Sequence, residues 1–328
     1  MPLERQPLTD AICVDRASAA ALQGERRGAV AILLCTFNGA RFLPLQLASF
    51  EAQDFSDWRL VVSDDGSNDG TWDLLEDFRS KHGADRVQLR HGPQKGAAAN
   101  FMSLICDPAL DSDFYALSDQ DDVWAANKLS RAHAFLTGAA ADAPSLYCSR
   151  VRMIDENGAE IGLTPIHKHP PHFRNALVQN IAIGNTVAFN QKTRSLLVQA
   201  GADSNAAVHD WWIYLVTTAV GGRVIYDPYP SVAYRIHGGN LIGANNSRVR
   251  KAQMLLNRFK GWSDLNVRAL ERIEGVMLPE NRATFELFRR SRTLSLAPRL
   301  YGLLRCGLYR DAMLDNLGLL AAALTGKI

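Results

Sequence analysis

The stretch Asp113–Trp124, DFYALSDQDDVW, decides how the rest of this chain is read. Phe114, Tyr115, Ala116 and Leu117 form a short apolar run with the pattern of a buried strand. The run ends in three carboxylates, Asp119, Asp121 and Asp122, and then in Trp124 and a helical pattern. Like charges at the end of a hydrophobic strand repel one another and resist desolvation. Mg²⁺ or Mn²⁺ removes that objection, because such ions favour carboxylates together with substrate phosphates. An isolated D-x-D-D is also the composition of a solvated acidic turn, so the neighbouring segments decide between the two readings.

Upstream, Ala29–Cys35 (AVAILLC) is a continuous apolar run, the pattern of a strand buried on both faces, and Thr36, Phe37, Asn38 and Gly39 follow as its loop. Arg41–Gln53 has helical spacing through Phe42, Leu45, Leu47 and Phe50. Trp58–Ser63 is the next strand and runs into Asp64-Asp65-Gly66-Ser67-Asn68-Asp69-Gly70. Asp69 or Ser67 is a candidate cap for a helix over Thr71–Lys81. Val87–Leu89 is a third strand, followed by Lys95, Gly96 and a helix through Asn100–Ile105. Strand–helix units at this spacing predict an α/β fold with a doubly wound, mainly parallel central sheet flanked by helices. Ligands of such sheets bind outside the carboxyl ends of the strands. Thr36–Asn38, Asp64–Asp65 and Asp119–Asp122 all fall at that edge, which points to one site.

The second half changes character. Ser145–Ile154 reads as a strand ending in a turn at Asn157-Gly158, and Glu160–Pro171 as a loop carrying His167, Lys168 and His169. Ile181–Phe189 reads as a strand with Gly184 and Asn185 inside it, and Ala207–Val220 as a helix opened by His209-Asp210. Arg223–Tyr226 and Ser231–Arg235 read as short strands leading into His237-Gly238-Gly239-Asn240. From Asn246 the pattern is mostly helical, with breaks near Pro279 and Pro298.

Composition bounds the function classes. The 328 residues are 47% hydrophobic and 21% charged, ordinary for a globular protein with a substantial core. The net charge of +2 is unevenly placed: residues 241–328 hold 15 Lys/Arg against 7 Asp/Glu. An acidic body therefore carries a basic tail. The five cysteines (Cys13, Cys35, Cys106, Cys148, Cys306) have neither zinc nor disulfide spacing and read as reduced thiols of a cytoplasmic protein. The N-terminus lacks the apolar core of a signal peptide, residues 1–28 read as a flexible leader, and no apolar run approaches the ~18–20 residues of a membrane span. The tail interleaves Arg289, Arg290, Arg292, Arg299, Arg305 and Arg310 with leucines. That suits helices lying on an anionic membrane surface at the inner face of the cell membrane, or helices packed back on the body with solvated arginines. Nucleic-acid binding is disfavoured, since no recognised module accompanies the charge.

AILLCTFNGARFL, VVSDDGSNDGTWDLLEDF, FYALSDQDDVWAANKL, HDWWIYLV and YRIHGGN together resemble a family 2 glycosyltransferase of the GT-A fold, in its bacterial rhamnosyltransferase-like branch. The resemblance covers residues 29–245, divided into a nucleotide-binding half (29–124) and an acceptor half (125–245), with residues 246–328 as a basic helical extension. It implies that Thr36, Phe37 and Asn38 contact the base and ribose of a nucleoside-diphosphate sugar (dTDP-, UDP- or GDP-linked). It implies that Asp64 reads the base and Asp65 supports the nucleotide. Asp119 and Asp121 match the family's D-x-D, which holds Mn²⁺ or Mg²⁺ against the diphosphate, with Asp122 beside them as a candidate to share that role. Asp210 matches the catalytic base, and His209 stands where the family has Glu. His237 matches a histidine that completes the metal or diphosphate site. No Q-x-x-R-W signature of processive synthases is present, so a single addition to a glycan or lipid-linked acceptor, in surface-polysaccharide or lipopolysaccharide assembly, is implied.

Sugar transfer requires a stabilised diphosphate leaving group, a deprotonated acceptor hydroxyl and exclusion of water. One base and no nucleophile predict inversion at the anomeric carbon. Each residue also has a plainer reading: Asp210 as a helix cap, Asp64 and Asp65 as turn residues before Gly66, His237 as a structural histidine. Lys95 and Asn100 are candidate phosphate contacts or surface residues; Gly184, Asn185, His209 and Trp211 are candidate acceptor contacts; Trp124 reads as packing. The rival functions are a catalytically degenerate glycan-binding or scaffold subunit and a nucleotidyltransferase, for which TFNGAR is a poor triphosphate loop.

Overall fold

The computed structural model describes residues 30–137, 142–238 and 248–328, with side chains from residue 260 onward in the last segment. The leader, the boundary near residue 245 and Gly239-Asn240 lie outside the described residues. The apolar runs form strands as expected: β1 (Val30–Thr36), β2 (Trp58–Asp64), β3 (Val87–His91) and β4 (Phe114–Ser118). Every residue of β1, β2 and β4 is buried, which explains their unbroken hydrophobicity: both sheet faces are covered. Helices α1 (Leu43–Glu51), α2 (Thr71–His82) and α3 (Ala97–Ile105) make the crossovers. The four strands pair in parallel in the order β3-β2-β1-β4.

Beyond β4 the sheet becomes mixed. Its full order is β3-β2-β1-β4-β8-β6-β9-β5, with β7 (Glu160–Leu163) paired to β6. β8 (Ala188–Asn190) runs antiparallel to both β4 and β6 (Ser145–Ile154), while β6 and β9 (Arg223–Arg235) run parallel. β5 (Val123–Trp124) is a two-residue strand antiparallel to β9, and it returns the chain from the acidic loop into the sheet. Two boundaries differ from the sequence expectation. Ile181–Phe189 is not one strand: Gly184–Thr186 forms a 3₁₀ turn ahead of β8. Asn185 there donates its amide to Asp122, and this pull out of the sheet is the physical reason. The two short strands over 223–235 are a single strand, which crosses Pro228 and Pro230 by a bulge against β6 at Ser149/Val151.

Helices α4 (Lys128–Thr137), α5 (Phe173–Ala176), α6 (Gln191–Ala200) and α7 (His209–Ala219) complete the body. Helix α8 (Arg248–Glu271) leads into α9 (Pro279–Arg292), α10 (Leu296–Cys306) and α11 (Met313–Thr325). Two apolar clusters lie on opposite faces of the sheet. One contains Leu33, Val61, Leu117 and nearly all of α7; the other contains Ile32, Leu34, Leu60, Phe50 and Trp124. Trp124 is packing, as expected: it is buried and meets the Phe50 ring edge-on at 4.8 Å. Cys35, Cys106, Cys148 and Cys306 are free thiols. Among the described residues, no helix is long and apolar enough to cross a membrane.

Candidate active site

The carboxyl ends of β1, β2 and β4 meet at one edge because their registers align Thr36 with Asp64 and Leu34 with Ser118. The β1 and β2 loops are tied together by side chains. Thr36 Oγ1 donates to Asp64 Oδ2 (2.7 Å), as does Ser67 Oγ (2.6 Å), while Asp64 Oδ1 accepts from Ser67 N (2.8 Å) and Gly66 N (3.2 Å). Four donors thus hold a carboxylate that is 3% exposed. Asp65 accepts from Gln94 N (2.6 Å) and Gly96 N (2.9 Å) and so fixes the turn that opens α3. Gly92 lies between these groups, where a Cβ would stand 2.7 Å from Asp65 Oδ1 and 2.7 Å from Asn100 Oδ1. Asn38 adopts a left-handed conformation (φ 50°) and exchanges hydrogen bonds with Ser67 and Asn68. Phe37, 56% exposed, projects from this loop and is free to stack on a planar group. Asp69 accepts from Thr71 N (3.1 Å) at the start of α2, as expected of a cap, although the residue in the cap position is Gly70.

At the end of β4 the carboxylates separate into roles. Asp122 is fully buried and points inward. It accepts from Asn185 Nδ2 and from Arg235 N (3.1 Å), which binds the acidic loop to the 3₁₀ turn and to β9. Burial, then the charge of Asp121, pushes its carboxyl up to about 7, and those two hydrogen bonds oppose the rise. Asp121 instead faces the edge, where His237 Nε2 lies 2.7 Å from its Oδ2. Asp119 is half-buried, and desolvation followed by the charges of Asp122, Asp121 and Asp210 holds it well above the carboxylate range.

Asp210 arrives at the same place from α7. It is not the helix cap, a position occupied by Val208, but a first-turn residue whose Oδ1 accepts from Trp211 N (2.5 Å). Burial pushes its carboxyl up to about 6, against hydrogen bonds from Trp211, Asn180 and Gly184. Gly184 approaches it closely: a Cβ there would stand 3.4 Å from Asp210 Oδ2 and 3.1 Å from His209 Nε2.

Several candidate residues sit elsewhere. Trp211 is 3% exposed and donates its indole N–H to Ala176 O (2.6 Å), so it packs in the core and presents no floor to an acceptor. His209 is buried and stacked on Phe101 at 3.9 Å, with burial lowering its pKa to about 3. Asn185 is spent on Asp122. Asn100 is buried and bonded through both amide atoms to Ser63, so it is neither a phosphate contact nor a surface residue. Lys95 is exposed in the turn held by Asp65.

Two residues of the site escaped sequence reasoning. Gln120, between the metal-type carboxylates, clamps the Phe37 backbone in both directions (2.8 and 2.9 Å), and Gly39 leaves the space for its amide. Arg235, 2% exposed, donates its Nε to Asp121 O (3.0 Å) and its Nη1 to the carbonyls of Asp155 and Glu156. A polar residue between two aspartates, and an arginine closing the segment Ser231–Arg235, were the available signals.

A parallel half-sheet that gathers acidic loops at its carboxyl edge, joined to a mixed half-sheet that delivers a further carboxylate, defines a glycosyltransferase of the GT-A fold. Residues 31–195 match the family model described as Glycosyl transferase family 2, and the chain belongs to that family. It is 27% identical over 230 residues to the dTDP-rhamnosyl transferase RfbG of Shigella flexneri, covering 68% of this chain and 78% of the relative. Among solved structures it resembles S. aureus TarS 1-349 in complex with UDP-GlcNAc (TM-score 0.51, 15% identity, 85% of this chain and 92% of that one). It also resembles the mannosyltransferase PcManGT of Pyrobaculum calidifontis in complex with GDP-Man and Mn²⁺ (TM-score 0.50, 19% identity, 92% and 86%).

Proposed function

We propose that this glycosyltransferase is a metal-dependent, inverting enzyme that adds one sugar, rhamnose from a dTDP donor, to a glycan or lipid-linked acceptor of a surface polysaccharide. The observation that carries the reading is the gathering of Asp119, Asp121 and Asp210 in a mutually repelling group, with His237 bonded to Asp121. Like charges are costly to assemble at a half-buried edge unless a cation or a developing positive charge offsets them. Among the described residues no three His, Cys, Asp or Glu side chains stand in a ready ligand set. The donor chemistry fits a hard divalent ion that takes the remaining ligands from water and diphosphate. Asp119, Asp121 and His237 would hold that ion, which would supply positive charge to the departing diphosphate.

The protein's own residues have distinct parts in this reading. Thr36, Phe37, Asn38, Asp64 and Asp65 form the nucleotide wall, with Lys95 at its rim. Asp210 accepts the proton of the acceptor hydroxyl as that oxygen attacks the anomeric carbon, and its raised pKa suits a base working near neutrality. With no second carboxylate acting as nucleophile, the configuration inverts. The rhamnosyl donor follows the relative named above, and a divalent ion accompanies the donor in the PcManGT complex. We assign the protein to the cytoplasm, in peripheral contact with the membrane that carries its acceptor.

The test is release of nucleoside diphosphate from dTDP-rhamnose, UDP-sugars and GDP-sugars with Mn²⁺ or Mg²⁺. Turnover of dTDP-rhamnose, abolished by EDTA and lowered at least about 10³-fold in Asp121→Ala, is expected. Turnover that survives EDTA overturns the metal assignment, and preference for another nucleotide overturns the donor.

A further inference from the structure

The outer faces of α10 and α11 are apolar without any covering element among the described residues. On α11, Met313 (80% exposed), Leu314 (79%), Leu317, Leu320 and Leu324 follow helical spacing, while the opposite side, Ala322 and Ala323, is buried. Tyr301 and Leu304 (79% exposed) extend the patch onto α10. Contiguous exposure of this kind on a soluble body marks an interaction surface. Asp315 is the only charged residue of α11, so the helix offers an oil-like face with almost no polar anchor points. Basic groups flank the patch: exposed Arg305 donates to Tyr301 Oη (3.2 Å), and Arg310, whose Nη2 lies 3.8 Å from Asp315, lines a groove of about 510 Å³ beside Met313 with His169 and Asp311. Lys168 is exposed next to His169.

We infer that the α10–α11 face docks on an anionic lipid surface, its leucines entering the acyl boundary and its arginines meeting headgroup phosphates. Two features favour lipid over a protein partner. The face of α11 offers almost none of the hydrogen-bonding groups that a protein interface normally carries around its apolar core, and an acyl boundary requires none. The basic rim, in a tail with 15 Lys/Arg against 7 Asp/Glu, complements the negative potential of a phospholipid leaflet. Tyr301 at the edge suits the interfacial layer, where an aromatic ring with a polar tip is at home. The inference deepens the membrane contact of the proposed function by naming its surface. It is separable from the catalytic reading, because lipid binding requires neither donor nor metal.

The experiment is flotation of the full chain with phosphatidylcholine vesicles, with and without phosphatidylglycerol. Wild type is expected to float with the anionic vesicles and to be released as salt rises. The exposed-site variant Leu314→Glu/Leu317→Glu should lose binding at least about tenfold, since each charge opposes burial in lipid. Arg305→Glu should weaken binding less and only on anionic vesicles. Unchanged melting temperature and solution turnover of the donor separate this loss from misfolding or a damaged active site. Absence of wild-type flotation overturns the inference, as does full binding by the double variant. A wild-type dimer in solution that the double variant splits into monomers also overturns it, by assigning the face to self-association.

Discussion

Asp64 and Asp65 at the end of β2, and Asp119 immediately after β4 with Asp210 in the first turn of α7, are the same side chain in opposite circumstances. The β2 pair is tied to the backbone around it: Asp64 accepts four hydrogen bonds and Asp65 two, from the end of β1 and from the neighbouring loops. The second pair is desolvated: burial raises both carboxyls, against three hydrogen bonds at Asp210, and the charges of Asp122, Asp121 and Asp210 raise Asp119 further. Carboxylates of the first kind build a wall, because each hydrogen bond fixes backbone that surrounds the ligand edge. Carboxylates of the second kind are held in reserve for chemistry, and the fold bears the cost of keeping them there.

Replacing Asp210 exposes that cost most directly. Asp210→Asn should lower kcat by about 10²–10⁴-fold, the usual worth of a general base, with a smaller change in donor KM. It should also raise the melting temperature at neutral pH. The folded-state pKa is raised, so the stabilising contribution of this group is complete below its unfolded value of about 4 and is lost as pH rises through about 6. Near pH 7 the wild type therefore carries an unfavourable buried charge that asparagine lacks. For the wild type, kcat/KM should increase with pH through about 6 as the base ionises. A stopped assay across pH, beside calorimetry of both proteins, reads both effects. An inactive variant that is also less stable would place Asp210 among the wall-building carboxylates.

Asp64→Ala should behave in the opposite way. It removes the acceptor of four hydrogen bonds in a buried setting and strands Thr36 Oγ1 and two backbone N–H groups. A loss of roughly 2–4 kcal/mol is expected, visible as a lower denaturant midpoint with little change in slope. Nucleotide affinity should fall with it, because the Thr36–Asn38 loop loses its tether. Full stability with lost affinity would instead make Asp64 a direct reader of the base.

The two regions also differ in how far the sequence disclosed them. The strands β1, β2 and β4 and their loops were legible because continuous burial forces continuous hydrophobicity, and the abrupt change to aspartate marks the strand end. The D-x-D stood out as a carboxylate cluster at a strand end, whereas Asp210 was singled out through the family resemblance, since alone it reads as a helix cap. Less visible were the features created only by long-range pairing. The antiparallel return of β8 depends on Asn190 and Gln191 meeting Phe114 and Asp113 across the sheet. His209, Trp211 and Asn185 have the chemistry of ligand contacts, yet packing turns all three inward. Periodicity cannot assign such residues to a face when both sides of α7 are buried. Gln120 and Arg235 were hidden for the complementary reason, since their partners are backbone atoms that no side-chain motif records.

Asp122 stands between the two kinds of carboxylate, and its replacement by asparagine sharpens the distinction with the smallest effect. It is buried and hydrogen-bonded like Asp64, yet crowded by Asp121 like Asp119. Asp122→Asn keeps an oxygen for Arg235 N but turns its amide NH₂ toward Asn185 Nδ2. A rotation of the Asn185 amide repairs the clash, because its Oδ1 has no partner to lose. Stability should consequently change by less than about 1 kcal/mol. Removing one negative charge beside Asp119 and Asp121 should weaken divalent-ion affinity by a few-fold while leaving kcat at saturating metal within about tenfold of wild type. Asp122→Ala offers no such repair and should destabilise the acidic loop by more. If the asparagine variant instead loses all activity at any metal concentration, Asp122 belongs with Asp119 and Asp121 as a direct participant, and its inward orientation changes when metal and donor bind.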